Sequence, residues 1–160
     1  MVTSRPSSIY FGYGSNMWID QMDRRCPENK YLGIARLADW KWFICEKGYA
    51  NVVRSPGDEV WGLVYEISEA DEQNLDGYEN VPDNYHKQYH TVTVFDKKHK
   101  AEGAAGAATL ALIYVDVERT KESSPKTEYI YRMNMAIADA LKEGVPEAYI
   151  KKYLRAFIPE

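Results

Sequence analysis

The chain has only two cysteines, Cys26 and Cys45, in 160 residues. Two thiols cannot build a disulfide framework, and their spacing is not that of a metal site, so they are expected as small buried hydrophobes. Histidine is equally sparse, with His86, His90 and His99 alone. His86 and His90 lie on one face of an expected strand as exposed or hydrogen-bonded side chains, with no neighbouring Cys or carboxylate to complete a zinc set. Basic residues are not in excess: 20 Lys and Arg stand against 24 Asp and Glu, a net charge of −4. That balance argues against binding nucleic acid or a membrane surface. No apolar run approaches the roughly 18 residues that span a bilayer. Met1 to Ser8 is polar and lacks the apolar core of a secretory leader. A reduced, cytoplasmic protein is the expectation. Two catalytic signatures are missing as well, the G-x-x-x-x-G-K phosphate loop and the G-x-S-x-G nucleophile elbow.

What the chain does have is tyrosine: 13 of them, with 4 tryptophans. A tyrosine offers a flat apolar body with a hydroxyl at its tip. An excess suits the walls of a polar pocket, and it equally suits the faces of a β-sheet. An apolar fraction of 45% with 28% charged residues is ordinary globular composition, and the length fits one domain, residues 1–160.

The first two thirds read as strands. Ser8 to Tyr13 is one, and YLGIARL, DWKWFICEK, YANVVRS and EVWGLVYEI follow as short separate strands between Gly, Asp or Pro breaks. Ser68, with Asp71 three residues on, predicts a helix from Glu69 to about Tyr78. Tyr85 to Phe95 and Thr109 to Val117 are further strands, the second buried on both faces. The alanine-rich AEGAAGAA, Ala101 to Ala108, reads as a loop or hairpin tip. Tyr129, Met133, Ile137 and Leu141 recur at helical spacing after Pro125, and Gly144 ends that helix. Val145 to Ile158 is a second helix with Ile150, Leu154 and Phe157 inward. Strands first and helices last predict an α+β fold: a closed or nearly closed antiparallel sheet with helices outside.

Two stretches are candidates for chemistry. In Tyr13-Gly14-Ser15-Asn16 a strand stops and a helix is expected from about Met17. Either Asn16 simply caps that helix, or the amides of Gly14, Ser15 and Asn16 face outward at its N-terminus and bind an anion. In Leu75 to Lys87 (LDGYENVPDNYHK), Glu79 ends a helix, where its charge opposes the negative end of the helix dipole. A residue that breaks a local rule marks a candidate site.

These stretches resemble the γ-glutamylcyclotransferase family, which includes the AIG2-like proteins. Three motifs carry the resemblance in order: YGSN at Tyr13 to Asn16, LDGYENV at Leu75 to Val81, and PKTEY at Pro125 to Tyr129. Tyr85 and the later EGVP match too. Details such as GYANVV and EYIYRMN look closest to fungal members. Asn80 stands where the family has glycine, and asparagine tolerates the positive φ that such a turn needs.

The resemblance implies a mixed, mostly antiparallel β-barrel with flanking helices. It also implies a cyclotransferase (lyase) activity that turns a small γ-glutamyl substrate into 5-oxoproline and a free amine, without cofactor or metal. Glu79 would be the general acid and base. Tyr13, Gly14, Ser15, Asn16, Tyr85 and Tyr129 would bind the substrate, the loop amides holding its α-carboxylate or the developing oxyanion. Tyr78 and Tyr85 would help bury Glu79. Glutathione or a γ-glutamylated secondary metabolite is an alternative substrate, and a non-catalytic γ-glutamyl-binding protein an alternative role. The expected assembly is a monomer or homodimer.

Overall fold

The computed structural model describes residues 7–96 and 106–160. Residues 1–6 of the N-terminal segment read against a leader, His99, and residues 101–105 of the alanine-rich stretch lie outside them. In chain order the elements are β1 (Ser7–Gly12), a 3-10 turn (Ser15–Met17), α1 (Ile19–Arg25), β2 (Lys30–Ile44) and β3 (Ala50–Ser68). Then come α2 (Glu69–Tyr78), β4 (His86–Asp96), β5 (Ala107–Val115) and α3 (Thr127–Glu143), and α4 (Glu147–Tyr149) runs on into a π-helical turn at Ile150–Leu154.

The five strands close into a barrel in the order β1-β3-β2-β4-β5. All neighbours are antiparallel except β5 and β1, which meet in parallel with Tyr10 opposite Leu112. Closure gives every strand a partner on both sides along part of its length. Buried residues of every strand form one core with Met17, Met22 and Leu75 and with Met133, Ala136 and Ile137 of α3. Cys26 and Cys45 are both buried free thiols.

The four short strands expected between residues 31 and 67 are in fact two long ones. Asp39 does not break β2, because it takes φ 66° as a bulge between Ala38 and Trp40. Opposite it, Ser55 to Asp58 loop outward, and the Asp39 carboxylate accepts the amide of Gly57 at 3.0 Å. A bulge bends a strand without ending it, which a tight barrel requires. Two side chains in the later helical segment also depart from expectation. Leu141 is 40% exposed, and Phe157 is only half-buried.

α2 forms where its capping signal places it. Ser68 Oγ accepts the Asp71 amide at 3.1 Å, and Leu75 is fully buried. Its end is a Schellman turn: Val81 N–H reaches Asp76 O at 3.0 Å, and Asn80 N–H reaches Gly77 O at 3.2 Å. Asn80 is the left-handed residue of that turn, with φ 52°. Asn80→Ala is therefore expected to cost about 1 kcal/mol, read as a lowered urea midpoint, since alanine tolerates this conformation less well. No helix among the described residues is long and apolar enough to cross a membrane.

Candidate active site

At one end of the barrel lies a cavity of about 270 Å³, near the small end of the roughly 300–1,000 Å³ usual for ligand pockets. Seven of the 13 tyrosines line it, so much of the tyrosine excess serves a pocket. Every residue singled out from the sequence is on its wall: Tyr13, Gly14, Ser15, Asn16, Glu79, Tyr85 and Tyr129.

The YGSN loop is clamped by its carbonyls. Trp42 Nε1 donates to Tyr13 O at 3.0 Å and Tyr65 Oη to Asn16 O at 2.7 Å. Gly14 O and Ser15 O accept the amides of Met17 and Trp18. With all four carbonyls occupied, the amides of Gly14 and Asn16 are left without an acceptor among the described residues, while that of Ser15 bears on the Tyr129 hydroxyl. Gly14 is required by closeness, because a Cβ there would sit 2.9 Å from Tyr129 Oη and 3.2 Å from Ala50 Cβ.

The helix expected at Met17 does not begin there. A single 3-10 turn comes first, and α1 begins at Ile19 with Trp18 in the capping position. Asn16 does not cap it. Its Nδ2 donates to Tyr10 Oη, and its Oδ1 accepts from Gln21 and Arg25. The free amides thus owe little to a helix dipole; their value is that the turn leaves them unpaired.

Glu79 enters from the end of α2. Lys87 of β4 ties α2 to the barrel through Glu72 at 2.7 Å and Asp76 at 3.0 Å, and Tyr114 Oη donates to Asp76 at 2.7 Å. The Glu79 carboxyl has no hydrogen-bond partner among the described residues. Burial pushes its pKa from the usual 4.5 up to about 7, against the opposing pull of Arg25 and Arg132. Tyr78, on the same cavity wall, is itself 58% exposed.

The hydroxyls around Glu79 differ in what they can still offer. Tyr13 Oη donates to Tyr114 O and Tyr85 Oη to Ala50 O, each at 2.7 Å, which leaves both oxygens as acceptors. Tyr129 Oη instead accepts the Ala50 amide at 3.4 Å, so its own proton is available to donate. Burial pushes Tyr129 up to about 12 and keeps that proton in place.

Sequence motifs do not single out several of the lining residues, among them Tyr10, Arg25, Tyr49, Tyr114 and Arg132. Arg132 lies three residues beyond Tyr129 on α3, a same-face spacing that is a usable signal. Its Nη1 donates to Ser15 Oγ at 3.3 Å, giving the Ser15 side chain a contact of its own. Arg25 has no local signal. Among the described residues no group of His, Cys, Asp and Glu could hold a metal ion; His90 instead bonds Gln88 at 2.7 Å and packs on Trp40.

Known proteins resemble this chain both in sequence and in fold. Gamma-glutamylcyclotransferases of Homo sapiens and Mus musculus are 34% identical over 85 and 86 residues. The human match covers 47% of this chain and 45% of the relative, so the chain spans about half the length of the curated relatives it matches. These relatives, with a bovine one, are mammalian and lend no support to a fungal likeness. A solved gamma-glutamyl cyclotransferase superposes with a TM-score of 0.79 at 25% identity, covering 97% of this chain and 90% of its own. An uncharacterized protein from Homo sapiens gives 0.77 at 26%, covering 96% and 89%. The gamma-glutamyl cyclotransferase, AIG2-like family matches residues 10–136, and the chain belongs to that family.

Proposed function

We propose that the chain is a γ-glutamylcyclotransferase that converts a γ-glutamyl amino acid into 5-oxoproline and the free amine. The observation that supports this most directly is the Glu79 carboxyl, unpaired and held near neutral pKa, in the same cavity as the free loop amides. The substrate's α-ammonium is received by the acceptor oxygens of Tyr13 and Tyr85 and by Glu79, which takes one proton. The freed amine attacks the γ-carbonyl carbon and closes a five-membered ring. Glu79 then returns that proton to the leaving nitrogen as the old C–N bond breaks. The second proton, shed by the ring nitrogen, passes through Glu79 to the departing amine, which leaves as the ammonium, so bonds and protons balance without a further reagent. Because attack is intramolecular, orientation alone can supply about 7–11 kcal/mol. The amides of Gly14 and Asn16, with the Tyr129 hydroxyl, would hold the α-carboxylate or the oxyanion.

A base with this pKa must be ionised to start the reaction. Accordingly, kcat/KM is expected to fall about tenfold per pH unit below about 7. The test monitors 5-oxoproline by mass spectrometry, with γ-glutamyl-alanine and glutathione in parallel across pH. Release from γ-glutamyl-alanine with an acidic limb near 7 supports both reaction and base. Release from glutathione alone would move the substrate to larger conjugates. Absence of release from either, with tight binding of 5-oxoproline, would make the chain a binding protein.

A further inference from the structure

The cavity holds two guanidinium groups whose surroundings differ. Arg132 grips Glu128 with both arms of its fork, Nε to Oε2 at 2.9 Å and Nη2 to Oε1 at 3.1 Å. Its remaining nitrogen donates to Ser15 and Gln21. Most of its hydrogen-bonding capacity is thus engaged within the protein.

Arg25, the last residue of α1, is different. It donates one bond, from Nη1 to Asn16 Oδ1 at 3.3 Å. Among the described residues no carboxylate lies within ion-pair distance of it. Its guanidinium stands 4.3 Å over the Tyr78 ring, a support that fixes the plane of the fork. A half-buried arginine held flat with most of its donors unused is shaped to receive a planar, bidentate carboxylate.

Depth decides which carboxylate. The loop residues, Ala50 and Tyr129 form a floor almost closed to solvent, whereas Arg25 and Tyr78 stand at the mouth. The glutamyl head is the constant part of the substrate and must fold into a ring, which suits the enclosed floor. The departing amine varies in its side chain and needs the open side. In an α-amino acid the carboxylate is two bonds from the scissile nitrogen. Glu79 must reach that nitrogen, and Arg25 exerts the stronger of the two arginine pulls on Glu79.

We propose that Arg25 is a specificity-determining residue that binds the carboxylate of the departing amino acid. The enzyme would then favour γ-glutamyl α-amino acids over γ-glutamyl amines and amides. This rests on the cyclotransferase reading of the site.

The test compares kcat/KM for γ-glutamyl-alanine and γ-glutamyl-alaninamide in the wild type, Arg25→Gln and Arg25→Lys, with thermal unfolding as a check on folding. The wild type is expected to prefer the free carboxylate by about 10- to 100-fold, the size of a charge-assisted contact. In Arg25→Gln that preference should shrink to within about threefold of unity, and Arg25→Lys should fall between, keeping charge but losing the fork. Equal losses on both substrates, with the preference intact, would overturn the role of Arg25 while leaving the cyclotransferase reading in place. A wild type without preference would overturn it as well. Absence of 5-oxoproline from both substrates while glutathione still yields it would overturn this proposal and keep the cyclotransferase reading; absence from all three would remove that reading, and this proposal with it. Should Arg25→Gln fail to fold, the Lys variant alone decides, since an undiminished preference there contradicts bidentate recognition.

Discussion

Glu79→Gln is expected to lower 5-oxoproline release by about 10²- to 10⁴-fold, the usual share of general acid–base catalysis, and to stabilise the protein above neutral pH. Both effects arise from one carboxyl. Folding raises its pKa from 4.5 to about 7. Between those values the folded chain holds a proton that the unfolded chain has released. Stability from this group is therefore present below about pH 4.5 and is lost as pH rises through about 7. In full the interval corresponds to about 3 kcal/mol, and partial solvent contact reduces it to about 2 kcal/mol. A glutamine of the same shape escapes that cost. Thermal unfolding should show Glu79→Gln melting about 4–8 °C higher than wild type near pH 8, with the gain vanishing near pH 4. Equal melting temperatures near pH 8 would mean that the carboxyl is not appreciably desolvated. Full activity in the variant would sink the proposed mechanism outright.

The second large effect is expected from packing and not from charge. A Cβ on Gly62 of β3 would lie 2.4 Å from Gly12 O and 2.9 Å from the Phe11 ring. Neither neighbour can yield cheaply, since Phe11 is fully buried and Gly12 is the last residue of β1, paired with Leu63. Gly62→Ala must push β1 away from β3 where the chain enters the YGSN loop. A cost of about 3 kcal/mol is expected, at the upper end for overpacking, together with lost activity because the clamped amides move. Denaturant midpoints and 5-oxoproline release on the same preparation would check it. A variant as stable as wild type would show that the two strands can separate at this point without cost.

Local rules in the sequence determined a good deal. Ser68, Leu75 and Asn80 define α2 through hydrogen bonds spanning three to five residues, so its limits could be read directly. Short β-branched and aromatic runs between Gly, Asp or Pro marked the strands, and the spacing of Tyr129, Met133 and Ile137 marked α3. YGSN and Glu79 stood out because each departs from what a plain turn or helix end needs. Local rules also misled. Asp39 and Pro56 to Asp58 read as strand breaks, yet pairing across the hairpin carries β2 and β3 through them as a bulge.

What the sequence could not contain was decided by closure of the barrel. The parallel contact of β5 with β1 has no local signature, since only the completed sheet brings Leu112 beside Tyr10. Arg132 and Ser15 are 117 residues apart and meet at 3.3 Å, and Arg25 arrives on another helix. The near-neutral pKa of Glu79 belongs to no residue pattern. It arises because burial in the cavity outweighs the pull of two arginines, a balance set by distances in space more than by neighbours along the chain.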